Sequence, residues 1–145
     1  MKFLLQRVEK ASVKVDDKTV GKINNGIVVL VGIGSEDTIQ TADYLIKKLV
    51  NLRIFKDCND KMNLNINQVN GELLVISQFT LYGDCCDGNR PFFGNAAPPD
   101  IAENLYNYII NELRKSVRIV ETGIFGAHMK VNLINDGPVT IMLEK

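Results

Sequence analysis

Ser77, Gln78 and Thr80 place a hydroxyl, an amide and a second hydroxyl in the far end of the otherwise apolar run 73–81. A buried polar group costs about 1 to 3 kcal/mol unless it is paired. These three therefore either satisfy neighbouring backbone or face a ligand. A second arrangement, Asn135-Asp136-Gly137-Pro138-Val139-Thr140, lies between two expected strands. Glycine before proline admits backbone shapes, a cis bond among them, that other residues resist. On these six residues alone the segment reads as a tight turn. Other chemistries fail on inventory. His128 is the only imidazole and sits in an expected strand between Ala127 and Met129, so a Ser-His-Asp triad has no base and the histidine reads as structural. Cys58, Cys85 and Cys86 lack C-x-x-C spacing and read as three reduced thiols, and with one histidine and no carboxylate cluster no metal site is expected. Gly32-Ile33-Gly34 follows a strand but lacks the third glycine of a dinucleotide fingerprint, and no phosphate-binding loop motif occurs.

The elements that must position these groups follow from periodicity. Residues 3–15 alternate and are rich in valine, reading as one strand or a bent pair. Asn24-Asn25-Gly26 turns into the β-branched run 27–33, of the kind buried on both faces. From Asp37 the period changes: Ala42, Leu45, Ile46 and Leu49 form one helical stripe, with Ser35 or Asp37 as candidate cap. A short strand at 52–55 and the buried strand 73–81 follow, then a long loop over 83–99. Pro98-Pro99-Asp100 suits a helix start, with Glu103 in capping-box spacing from Asp100. Leu105, Tyr106, Ile109, Ile110 and Leu113 supply its apolar face, and Arg114 and Lys115 its last turn. Residues 117–120, 128–135 and 139–143 read as further strands. The expected fold is α+β, one domain over 1–145, with a curled, mostly antiparallel or mixed sheet and two helices packed on it.

Length and charge bound the function. A chain of 145 residues, 46% hydrophobic and 23% charged, can bury a core without staples. No apolar run approaches the roughly 20 residues of a membrane span, and polar residues arrive too early for a signal peptide, so a cytoplasmic location is expected. Seventeen basic residues balance seventeen acidic ones, so any nucleic-acid contact is local. Lys2, Arg7, Lys10, Lys14, Lys18 and Lys22 outnumber Glu9, Asp16 and Asp17, which fits either a basic face or a solvated strand surface.

In order along the chain, Gln6-Arg7-Val8, Ala11-Ser12-Val13, Ser77-Gln78-Phe79-Thr80-Leu81, Gly88-Asn89-Arg90-Pro91, Phe125-Gly126-Ala127-His128-Met129 and Asn135-Asp136-Gly137-Pro138-Val139-Thr140 closely resemble the D-aminoacyl-tRNA deacylase family. The resemblance covers essentially the whole chain. It implies a barrel-like deacylase fold and a cytosolic homodimer that needs no cofactor. It also implies hydrolysis of the ester joining a D-amino acid, or glycine, to the 3′-terminal adenosine of tRNA. By this resemblance Gly137 and Pro138 form a cis motif that enters the partner subunit's site and excludes L side chains. Ser77, Gln78, Phe79 and Thr80 are the catalytic segment: Ser77 and Gln78 organise the pocket, backbone N–H groups near Phe79 and Thr80 stabilise the oxyanion, and the ribose 2′-hydroxyl helps activate water. Thr80 has been viewed as a nucleophile in related enzymes, but no base is visible beside it in the sequence. Phe125 and Met129 wall the site, and Arg7 is either an anchor near the Gly-Pro motif or part of a structural salt bridge. A non-catalytic tRNA-binding dimer and a small-molecule esterase using Thr80 are the rival classes.

Overall fold

The computed structural model describes residues 1–145. Eight strands, two α-helices and one 3-10 turn follow in the order β1 (Lys2–Val15), β2 (Lys18–Ile23), β3 (Gly26–Gly32), α1 (Ile39–Asn51), β4 (Phe55–Lys56), β5 (Met62–Leu64), β6 (Glu72–Ser77), the 3-10 turn Phe79–Tyr82, α2 (Pro99–Ser116), β7 (Val120–Thr122) and β8 (Lys130–Glu144). The main sheet runs β2-β1-β3-β6-β7, with β8 on the other edge of β1. Pairings to β1 are antiparallel, whereas β3–β6 and β6–β7 are parallel, each joined by a connection that carries a helix. The sheet is therefore mixed, and no helix is long and apolar enough to cross a membrane.

Both faces of β3 and β6 are covered. Ile27, Val29, Val31, Leu73 and Val75 join Leu45, Leu49, Ile109 and Leu113 of the helices in the larger core. Val28, Leu74 and Ile76 point the other way, into a smaller core with Val8, Ala11, Val13 and Ile23. This double burial is why both strands read as uninterrupted apolar runs. The smaller core exists because the sheet curls until its ends meet: a Cβ on Gly21 of β2 would stand 2.6 Å from the Thr122 carbonyl oxygen of β7. Two helices thus pack on a mixed sheet nearly closed into a barrel.

Several boundaries differ from expectation. β1 is one continuous strand that bends at register shifts near Val8 and Val13. The expected pair 128–135 and 139–143 is also one strand, β8. Between Thr140, opposite Gln6, and Asn135, opposite Val8, four residues of β8 face Arg7 alone. The tight turn expected at 135–140 is therefore a wide bulge inside a strand. Its Gly137–Pro138 peptide is cis, and Gly137 has φ +135. The bulge is closed internally by Asn135, whose Oδ1 accepts from the Val139 N–H at 2.8 Å and whose Nδ2 donates to Thr140 Oγ1 at 3.0 Å.

Helix ends shift as well. Thr38, not Ser35 or Asp37, caps α1 in a reciprocal box with Thr41, because the Asp37 carboxylate is taken by the Gly34 N–H at 2.6 Å and the Met1 amino group at 2.5 Å. In α2 Pro98 is the N-cap and no side chain caps the helix, so the Asp100–Glu103 box does not form. Leu52 closes α1 and Val117 closes α2, which moves the two short strands expected there to β4 and β7. The strand expected over 73–81 ends at Ser77, where its partner β3 runs out. The Gln78 N–H still donates to the Val31 carbonyl at 2.7 Å, and the chain then coils into the 3-10 turn.

Leu73 and Leu74 are fully buried on opposite faces of β6. Truncating either to alanine lowers the unfolding free energy by about 3 kcal/mol in urea titrations, the usual cost of such a cavity. A loss below about 1 kcal/mol for Leu74→Ala would show that the barrel interior is not tightly packed.

Candidate active site

A cavity of about 700 Å³ opens beyond the carboxyl ends of the parallel strands, where open α/β sheets commonly bind ligands. Val31 and Ile33 reach it from the end of β3, and Ile76, Ser77, Gln78 and Phe79 from the end of β6. Phe93 to Pro99 close one side, and Phe125 to Met129, the segment after β7, close another.

The polar edge of this cavity is the end of β6. Ser77 and Gln78 are half-buried, while Phe79 and Thr80 are exposed on the 3-10 turn. The first amides of such a turn have no partner inside it, and here they belong to Phe79 and Thr80; the first internal bond runs from the Leu81 N–H to the Gln78 carbonyl at 3.3 Å. The Gln78 amide donates to Thr80 Oγ1. Phe79 stands edge-on to Phe93, ring centres 5.1 Å apart. On the opposite wall Phe125 packs against Tyr106, ring centres 5.8 Å apart, and Met129 sits over Gly123, where a Cβ would come within 2.4 Å of its sulfur.

The expected site residues thus separate into two groups. Ser77, Gln78, Phe79, Phe125 and Met129 share the cavity, with Thr80 on the same turn. Arg7, Gly137 and Pro138 do not line it and form a group of their own at the β8 bulge. Arg7 is only 4% exposed. Its Nε donates to the Asp136 carbonyl at 3.0 Å and lies 3.2 Å from the Asp136 carboxylate, and its Nη1 donates to the Ile54 carbonyl at 2.5 Å. A Cβ on Gly137 would stand 3.1 Å from Arg7 Nη2. Arg7 therefore holds the bulge from beneath and is not part of a basic face. Lys10 and Lys22 do share an outer groove with Ser12 and Asn132, while Lys2 pairs with Glu144.

Three features escaped the sequence. His128 lies in the turn ahead of β8, exposed, on the rim of the cavity, and not within a strand. Phe93 and the Pro98-Pro99 pair become walls only because Ala96 bridges to Gly34 and the Ala97 N–H donates to the Ile33 carbonyl at 2.9 Å. Asp37 ties the end of β3 to the end of the 3-10 turn, since its Oδ2 accepts from the Gly34 N–H and from the Tyr82 hydroxyl at 3.2 Å. No spacing rule links positions 34, 37 and 82. The three cysteines are free and exposed, and no three His, Cys, Asp or Glu side chains gather as a metal site.

Burial first, then the Asp37 carboxylate, push the Tyr82 hydroxyl well above the ordinary tyrosine value of 10.0. Burial does the same to Tyr106, whose hydroxyl donates to the Val75 carbonyl at 2.8 Å. The folded protein keeps these protons to higher pH than the unfolded chain does. The stability they contribute is complete below pH 10 and is lost as pH rises above it. Urea midpoints measured from about pH 8 to about pH 11 fall, and the fall is shallower in Tyr82→Phe; an identical slope in that variant would contradict the upward shift of the Tyr82 hydroxyl.

A family model described as D-Tyr-tRNA(Tyr) deacylase matches residues 4–144. Proteins named D-aminoacyl-tRNA deacylase from Bacillus cytotoxicus and Thermosipho africanus are 56% and 54% identical over 144 residues, spanning 99% of this chain and 99% and 97% of their own lengths. A solved structure called c-Myc DNA unwinding element binding protein superposes with a TM-score of 0.95 at 42% identity, covering 100% of this chain and 99% of that one. A probable eukaryotic D-amino acid tRNA deacylase shares the fold, with a TM-score of 0.85 at 17% identity, over 98% of this chain and 97% of its own. With the cavity at the end of β6 and matches that run end to end, the chain belongs to the D-Tyr-tRNA(Tyr) deacylase family.

Proposed function

We propose that the protein is an ester hydrolase that removes D-amino acids, and glycine, from the 3′-terminal adenosine of tRNA. The observation that carries this reading is the 3-10 turn at the end of β6, which opens at Phe79 beside Ser77 and Gln78 on the wall of a cavity large enough for an adenosine with its attached amino acid. In this reading the Phe79 and Thr80 N–H groups receive the oxyanion that forms as water attacks the ester carbonyl. Removing one such donor typically costs about 2.7 to 4 kcal/mol of transition-state stabilisation. Ser77 and Gln78 orient the substrate, and Phe125 and Met129 flank it.

Thr80 positions and does not attack. Its hydroxyl oxygen already accepts from the Gln78 amide, and an amide nitrogen is no base to take its proton. The ribose 2′-hydroxyl supplies the help that water needs. The tRNA is then a participant in its own hydrolysis, which separates this reading from a small-molecule esterase.

Chirality is read across a homodimer in the cytoplasm. Gly137 and Pro138 are exposed at the crest of the β8 bulge and outside their own cavity, which supports their use in a second copy of the chain. Main-chain carbonyls there capture the α-ammonium and fill the space that an L side chain would need, so L substrates collide while D side chains point outward. Glycine has nothing to collide and is accepted.

Release of amino acid from D-tyrosyl-, glycyl- and L-tyrosyl-tRNA tests the proposal. The first two are hydrolysed and the third is retained; no hydrolysis of any leaves a tRNA-binding module, and equal loss of D and L overturns the exclusion step. Pro138→Ala hydrolyses L-tyrosyl-tRNA or loses activity altogether, and wild-type rates with wild-type chirality would remove the motif from the mechanism.

A further inference from the structure

Phe92 is 65% exposed, more than any other large hydrophobic side chain in the protein. Nothing in the core requires it. Its place is nonetheless well defined. The Phe92 N–H donates to the Asp84 carbonyl and the Asp84 N–H donates to the Phe92 carbonyl, both at 2.8 Å, so the residue is pinned at the base of a small hairpin. The ring lies against Gly94, where a Cβ would fall 2.2 Å from ring carbon Cζ. Gly94 itself lines the cavity, as does Phe93, which stands against Phe79. Two adjacent phenylalanines therefore divide their roles: Phe93 closes the wall, and Phe92 remains outside it at the rim.

A fixed, exposed ring beside a cavity suits a flat π surface better than a charged one. The carboxylate of Asp84 in the same hairpin accepts from the Cys86 N–H at 2.9 Å, and Arg90, exposed two residues before Phe92, makes no ion pair. Single-stranded RNA binds by laying unpaired bases on aromatic rings, with cations nearby for its phosphates. We propose that Phe92 is a stacking platform for the unpaired nucleotide that precedes the terminal adenosine, so that the tRNA 3′ strand is held at the rim while its end enters the cavity. This inference rests on the deacylase reading and adds a determinant of RNA, as opposed to amino-acid, recognition.

The test compares wild type, Phe92→Ala and Phe92→Trp on D-tyrosyl-tRNA and on the D-tyrosyl ester of adenosine alone, which ends before the proposed stack. Phe92→Ala raises KM for the tRNA about tenfold, the usual effect of removing one stacking ring, with kcat little changed. Phe92→Trp restores it, and the preference for tRNA over the adenosine ester falls in Phe92→Ala by the same factor. An unmoved KM for tRNA overturns the proposal. So does an equal rise for both substrates, which would mean the ring only shapes the cavity, or a change in oligomeric state on gel filtration, which would make it a protomer contact. If wild type hydrolyses neither substrate, the deacylase reading itself falls; hydrolysis by wild type with no tRNA effect in Phe92→Ala removes only the platform.

Discussion

The parallel pairing of β3 with β6 constrains everything else. A parallel pair leaves both faces apolar and cannot be closed by a tight turn, so each face must be covered and each connection must be long. Here α1 and α2 cover one face, and the curl of the sheet brings Val8 and Val13 of β1 and Ile23 of β2 over Leu74 and Ile76 on the other. Beyond the carboxyl ends of these strands the covers leave a cavity open between them. Val31, Ile33, Ser77 and Gln78 therefore emerge into the cavity, and the loop and turn after β6 and β7 are free to line it.

Curling the sheet has a cost at β1, which must pair with β2 and β3 on one edge and with β8 along nearly its whole length on the other. A flat strand cannot follow both. The mismatch collects opposite Arg7, where four residues of β8 bulge outward. Burying a guanidinium is expensive unless its donors are met. The Asp136 and Ile54 carbonyls and the Asp136 carboxylate meet them, and no buried side-chain polar atom in the protein lacks a partner. A structural ion pair at Arg7 and an exposed Gly-Pro crest are thus two sides of one bulge.

Much of the fold was legible in the residues. The apolar stripe Ala42, Leu45, Ile46 and Leu49 and the runs 27–33 and 73–76 announce burial through side-chain period, which depends only on neighbours a few positions away. The site was legible in part: Ser77 and Gln78 stand out because polar groups interrupt an apolar strand, and Gly137-Pro138 because few residues admit that backbone. Capping was misread at Asp37 because its carboxylate is claimed by Gly34, Met1 and Tyr82, partners that sequence distance hides. His128 was misread because the turn before β8 is set by Gly126, at φ +71, and not by any local alternation.

What the sequence by itself determined is the set of elements and the chemical inventory: two amphipathic helices, doubly buried strands, a polar segment at 77–80, a Gly-Pro pair, and too little histidine or clustered cysteine for a triad or metal centre. Local periodicity and residue type settle these, since both act over a few bonds. Only the tertiary structure decided that the strand ends at Ser77, that 130–144 is one strand with a bulge, that Arg7 belongs beneath that bulge, and that Phe125 and Met129 face Ser77 and Gln78 while Gly137 and Pro138 do not. Each of these depends on where a partner strand stops or where a distant carbonyl waits, and register between strands is a property of the closed sheet that no single segment carries.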